Sequence, residues 1–256
     1  MTSSPVLSSA ICSPLVLLHG AWHDSRCWET VAELLRNAGL EVYTPDLPGH
    51  GQDTTPLNRI SLRGYVKAVL QLLEEIGKPV ILVGHSMAGM ILAQCCNDRP
   101  ELIRNAVYLC AYLPRNDESL FDLISINRSH EPFIVIEMAL QMSADKRSCT
   151  INSAEVVSLF YSQADREIAE LAQARLCVQA TLPLAGKVTL TEEQMNKTPR
   201  TYICCTKDKV IPLHHQRRMI TRQPCQSLLQ IEADHSPFYS DPVELAELLV
   251  AIAGPN

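Results

Sequence analysis

Nowhere in these 256 residues is there a run of Lys and Arg, an apolar stretch of bilayer-spanning length or a Cys-x-x-Cys pair. Each absence excludes a class. Nucleic-acid binding rests on a concentrated basic face that displaces counterions, whereas here the formal net charge is -6 and the basic residues are dispersed. A membrane-spanning helix needs about 20 apolar residues, and the run from Leu15 to Leu18 falls far short. The opening MTSSPVLSSAICSP has neither the basic start nor the long apolar stretch of a secretory signal, so a cytoplasmic address is expected. The ten cysteines have no zinc-ligand or redox spacing. Most sit in apolar runs, where Cys behaves as a small buried hydrophobe. No metal and no organic cofactor is called for, no nucleic-acid or membrane partner is expected, and a homodimer is left open.

What is present is an ordinary globular composition, 46% hydrophobic and 20% charged, at a length that suits one domain. There is no internal repeat and no low-complexity tract. Through the first ~110 residues short apolar runs alternate with helical patterns, the signature of a parallel sheet flanked by helices. Strands are expected at 14–18, 41–45, 80–83 and 106–111, and helices at 31–40, 62–76 and 90–97. From about 114 to 198 apolar residues scatter without a strong strand, and short helices are expected at 119–126, 133–142, 154–160 and 164–178. A block of that length is too long for a plain connection and reads as a helical cap insertion. The α/β rhythm then returns, with strands at 200–206 and 228–231 and helices at 214–221 and 242–253. The expectation is one α/β domain over 1–256, with a mostly parallel sheet of about six strands. Its core would be 1–113 and 199–256, with the cap over about 114–198.

Gly84-His85-Ser86-Met87-Ala88-Gly89 follows a buried strand and opens a helix. A strand-to-helix turn that exposes a nucleophilic serine needs small residues two before and two after it, and Gly84 and Ala88 supply them. The free amides and positive dipole at the helix start suit a developing oxyanion. Such a serine needs a base, and the base needs an orienting acid; at this kind of elbow the chain order is Ser, acid, His. Of the later histidines, His130 lies in the cap, and His214 and His215 open a helix. His235 lies in a loop after a strand, on the sheet edge where active-site loops gather. It is the expected base. Asp208, just past the preceding strand, is the expected acid, with turn formation as its ordinary role. Asp234 is the alternative, disfavoured because it adjoins His235. A second oxyanion amide is expected at Ala21, beside that of Met87. His19 reads as a structural loop histidine, and Trp22 as pocket wall or packing in equal measure. Phe121, Leu123, Phe133, Ile136, Met138, Phe160 and Tyr161 either line a substrate pocket or pack the cap. Trp22, Phe121, Phe133 and Phe160 are the substrate-binding candidates, and an apolar ester is the implied ligand.

The stretches LVLLHGAW (15–22), DLPGHG (46–51), VILVGHSMAG (80–89), YICCTKDKVIP (202–212) and ADHSPFYSDP (233–242) resemble the α/β-hydrolase superfamily over almost the whole chain. Within it they are most similar to the methylesterase and hydroxynitrile lyase group and its bacterial esterase relatives. That resemblance implies the α/β-hydrolase fold, a triad of Ser86, Asp208 and His235, and oxyanion amides at Ala21 and Met87. It also implies a carboxylesterase acting on a small apolar ester. The lyase branch carries Lys directly after the catalytic His, where this chain has Ser236; the departure turns the expectation towards hydrolysis. A lactonase, a C–C hydrolase, a lyase-like enzyme and a low-turnover ligand receptor are the rival readings.

Overall fold

The computed structural model describes residues 12–128, 136 and 139–254. Six parallel strands form the main sheet: β1 (Leu15–Leu18), β2 (Val42–Tyr43), β3 (Val80–His85), β4 (Ile103–Leu109), β8 (Arg200–Cys205) and β9 (Ser227–Ile231). They lie in the order β2-β1-β3-β4-β8-β9. β3 is central because Val80-Ile81-Leu82-Val83 is apolar on both faces, as a strand covered on both sides must be. Alternation along each strand sends successive side chains to opposite layers. Val16, Leu18, Leu82, Ala106 and Tyr108 join one core, and Leu15, Leu17, Ile81, Val83, Val107 and Leu109 join the other.

The first layer is closed by α2 (Leu62–Ile76) and α3 (Ala88–Asp98), and the second by α1 (Glu29–Asn37) and the C-terminal helix Pro242–Ala253. α2 buries Leu62, Tyr65, Val66, Val69 and Leu73, which share one helical face. The Ser61 hydroxyl accepts from the Gly64 amide at its start, and Gly77 ends it at φ 72°, a conformation that favours glycine. The α/β-hydrolase fold expected from the sequence is borne out. The ten cysteines are free thiols, and most are buried.

Between β4 and β8 the chain holds helices, among them α4 (Leu120–Arg128), α5 (Ser153–Phe160) and α6 (Arg166–Ala174). It also holds something the sequence did not announce: a three-stranded antiparallel sheet of β5 (Leu140–Met142), β6 (Ser148–Ile151) and β7 (Gln179–Ala180). The expectation of helices without strands is corrected there. Of the helix expected over 133–142, half the residues lie outside the described ones; Ile136 and Ala139 are helical, and the last three residues form β5. Strands of two to four residues rich in Ser, Thr and Gln carry too short an alternation to stand out from helix spacing. Among the described residues no helix is long and apolar enough to cross a membrane.

Candidate active site

β3 ends at His85 and α3 begins at Ala88, so the turn between them is only Ser86 and Met87. Ser86 is held at φ 54°, the left-handed region that costs a side-chain-bearing residue about 1 kcal/mol or more. Its neighbours fix it there. The Ser86 amide donates to the Leu109 carbonyl at 3.2 Å, and its carbonyl accepts from Tyr112 at 3.0 Å and Gly89 at 3.1 Å. A side chain at Gly84 would collide with Leu92, and one at Gly89 with the Tyr112 carbonyl. Position 88, where a glycine might be looked for, carries its methyl fully buried. Space is tightest one residue later, at Gly89, where α3 crosses the backbone beyond β4.

His235 arrives on the loop after β9. Its Nδ1–H donates to Asp208 Oδ2 at 2.7 Å, and its Nε2 accepts from Ser86 Oγ at 3.0 Å. The structure thus brings together the three side chains singled out from the sequence. All are nearly closed to solvent, at 7% exposure for Ser86, 5% for Asp208 and 0% for His235. Asp208 does its ordinary turn duty as well, since Oδ1 accepts from the Val210 and Ile211 amides at 2.7 and 2.8 Å. That leaves Oδ2 aimed at the imidazole. Asp234 is engaged elsewhere: its Oδ1 accepts from the Ser236 amide and its Oδ2 from the Gln163 amide, tying the His235 loop to the segment between β4 and β8. Burial raises its pKa.

The loop after β1 packs against the elbow. A Cβ at Gly20 would lie 2.8 Å from His85 Nδ1 and 3.0 Å from Ser86 Cβ, so only glycine lets the strand end approach this closely. Among the described residues no carbonyl or side chain accepts from the amide of Ala21 or of Met87. Both residues line the cavity at Ser86. Trp22, at φ 61°, is clamped by the segment between β4 and β8: its indole N–H donates to the Cys149 carbonyl at 3.2 Å, and its carbonyl accepts from the Cys177 amide at 2.8 Å. It is therefore both wall and packing.

Four buried histidines surround the triad, and sequence reasoning gave a role only to His19. His19 Nε2 accepts from the Leu47 amide, and His50 donates to the His23 carbonyl. His23 Nε2 accepts from the Tyr161 hydroxyl, and His85 Nε2–H donates to the His235 carbonyl at 2.7 Å. Burial lowers the pKa of each, to about 3 for His19 and about 4 for His23, so all four are neutral struts. Chain order sets these four, which precede Ser86, apart from His235, but nothing local in the sequence shows that they are buried struts. His85, Cys110 and His235 have ligand atoms within 4.8 Å of one another. A metal there would need one of the two ring nitrogens that His235 already commits to Asp208 and Ser86, so the donor set does not suit one.

The cavity over Ser86 has a volume of about 250 Å³. Of the residues for which lining or packing was open, Trp22, Phe121 and Ile136 lie on it, together with Tyr112, Leu120, Ile124, Leu140, Leu184 and Val210, which sequence reasoning did not name. Phe160 is corrected. It is 1% exposed and packs edge-on against Trp22 and the His235 ring rather than on the cavity. Leu123 and Tyr161 are likewise packing residues. Phe133, Met138 and His130 lie outside the described residues.

The model of the Alpha/beta hydrolase family matches residues 15–248. Putative methylesterase 11, chloroplastic, of Arabidopsis thaliana is 29% identical over 93% of this chain, which spans 63% of that relative's length. Methylesterase 9 of the same plant is 30% identical, over 93% of this chain and 97% of its own. Among solved structures, polyneuridine aldehyde esterase superposes with a TM-score of 0.87 at 24% identity, covering 95% of this chain and 100% of that one. That likeness speaks for the fold.

Proposed function

This chain belongs to the alpha/beta hydrolase family and to its methylesterase-like group, hydrolases acting on ester bonds, and from that premise we propose a serine carboxylesterase for small apolar esters. The observation that carries the reading is the continuous relay from Asp208 through His235 to Ser86, opening on an apolar cavity of about 250 Å³. Ser86 Oγ attacks the ester carbonyl while His235 Nε2 takes its proton. Asp208 holds the tautomer that leaves Nε2 free and stabilises the imidazolium as it forms. The Ala21 and Met87 amides receive the oxyanion, a contribution of about 3–4 kcal/mol per donor in comparable sites. His235 then protonates the departing alcohol, the acyl-serine remains, and water attacks it with His235 as base. The cavity supports the substrate class: its walls are aliphatic and aromatic, and its volume suits a short acyl or alcohol group. A small-molecule ester as ligand and a cytoplasmic address belong to the same proposal.

The test is turnover of p-nitrophenyl acetate, butyrate and decanoate by the wild type and Ser86→Ala. The short esters should be hydrolysed and the decanoate poorly. Ser86→Ala should lose at least about 10³-fold in kcat. Stoichiometric fluorophosphonate labelling of Ser86 without turnover of any ester would favour a receptor, and undiminished turnover by Ser86→Ala would overturn the nucleophile.

A further inference from the structure

Away from Ser86 the described residues form a second, wider cavity of about 690 Å³ that is open to solvent on one side. It forms where the start of β8, the 223–226 segment before β9 and the 190–196 segment meet. This is the end of β8 opposite to the one that leads to Asp208.

Arg200 opens β8 and lines this cavity. It is 5% exposed, yet its Nε and Nη1 are buried without a hydrogen-bond partner, and among the described residues no carboxylate pairs with it. A guanidinium does not escape burial by losing its proton, so this positive charge is desolvated and uncompensated. The surroundings do not correct the balance. Arg222 also lines the cavity; one arm is bound to Glu118, and its Nη1 is buried without a partner. Arg115 is fixed beside it by two bonds to the Arg222 carbonyl, at 2.9 and 2.6 Å. Glu118 answers the charge of Arg222 and Glu192 is the one carboxylate of the lining, which leaves Arg200 without a carboxylate of its own. The neutral groups are oriented as donors. Asn116 Oδ1 accepts from the Leu190 amide and Gln226 Oε1 from the Arg200 amide, both at 2.8 Å, which leaves the NH₂ end of each side chain to donate.

We propose that this cavity is a binding site for a small-molecule oxyanion, a carboxylate or phosphate group paired with Arg200. The cavity has room for an organic body beyond the charged end. The site shares no lining residue with the catalytic cavity. It stands on its own whatever the reaction at Ser86.

The experiment is calorimetric titration of the full chain with inorganic phosphate and, separately, with acetate, together with the melting temperature at saturation. Saturable binding of at least one anion is expected, with a rise in Tm, since a ligand that binds only the folded state stabilises it. Binding of phosphate alone identifies a phosphate-bearing ligand, and of acetate alone a carboxylate. Arg200→Met should weaken binding by at least about tenfold, while Ser86→Ala should bind as the wild type does. Should Arg200→Met fail to fold, Gln226→Ala tests the same donor set and should weaken binding severalfold. Absence of saturable binding by both anions, or equal affinity in the folded variants, would overturn the proposal.

Discussion

Asp208 shows how one residue serves structure and chemistry at once. One carboxylate oxygen closes the turn after β8 through two amides, and the other fixes the His235 ring. Asp208→Asn retains a turn-closing oxygen but withdraws the anion from the imidazole. It should leave folding nearly intact while lowering kcat by about 10⁴-fold; circular dichroism with steady-state kinetics separates the two effects. The neutral histidines give a second prediction. An unfolded imidazole protonates near pH 6.5, whereas folded His19 does so only near 3 and His23 near 4. Between those values the unfolded chain binds more protons, so stability is full above pH 6.5 and falls as pH drops towards 4. Each such group contributes a slope of about 1.4 kcal/mol per pH unit. Urea unfolding at pH 7, 6 and 5 should show this decline, and His19→Gln should show a shallower one. Equal slopes would refute the assignment.

At the scale of elements, Ser86 is set by three of them: β3 delivers it, α3 begins beneath it, and the backbone after β4 holds it in its left-handed conformation. The demand for smallness was legible in the sequence at Gly84. At 89 it was not, because the obstacle is the Tyr112 carbonyl, 23 residues away along the chain. Gly89→Val should force α3 off the sheet, costing about 3 kcal/mol or more and most of the esterase activity. A denaturation midpoint matching the wild type would show that the contact yields. The strands β5 to β7 illustrate the opposite case, elements too brief to be read locally. Tertiary contact holds them, with Trp22 bonded to Cys149 across the gap between cap and core.

At the scale of the whole molecule, the cavity belongs to neither part alone. Ala21, Ser86, Met87 and Val210 come from the sheet side, and Leu120, Phe121, Ile124, Leu140 and Leu184 from the segment between β4 and β8. Specificity should therefore respond to substitutions on that segment that leave the triad untouched. Leu184 is 3% exposed and lines the cavity. Leu184→Ala should lengthen the preferred acyl chain by about two carbons, at a cost of about 2–5 kcal/mol in stability. A chain-length profile of kcat/KM for p-nitrophenyl esters checks it, and an unchanged profile would remove Leu184 from the acyl site.

The sequence by itself determined the six-stranded parallel sheet, the elbow at Ser86 and the residues that meet there. Each is written locally: in β-branched runs apolar on both faces, in small residues around a serine, and in Asp208 and His235 on loops that leave adjacent strands at one edge. Tertiary structure alone decided which residues of the segment between β4 and β8 face the cavity at Ser86. Phe121 and Phe160 are alike in composition and setting, yet one lines the cavity and the other backs His235, because orientation depends on how the cap seats on the sheet. It also decided that His23, His50 and His85 are struts and that Arg200 is buried without a counter-charge. Burial and partnership arise from segments far apart in the chain, and no local pattern encodes them.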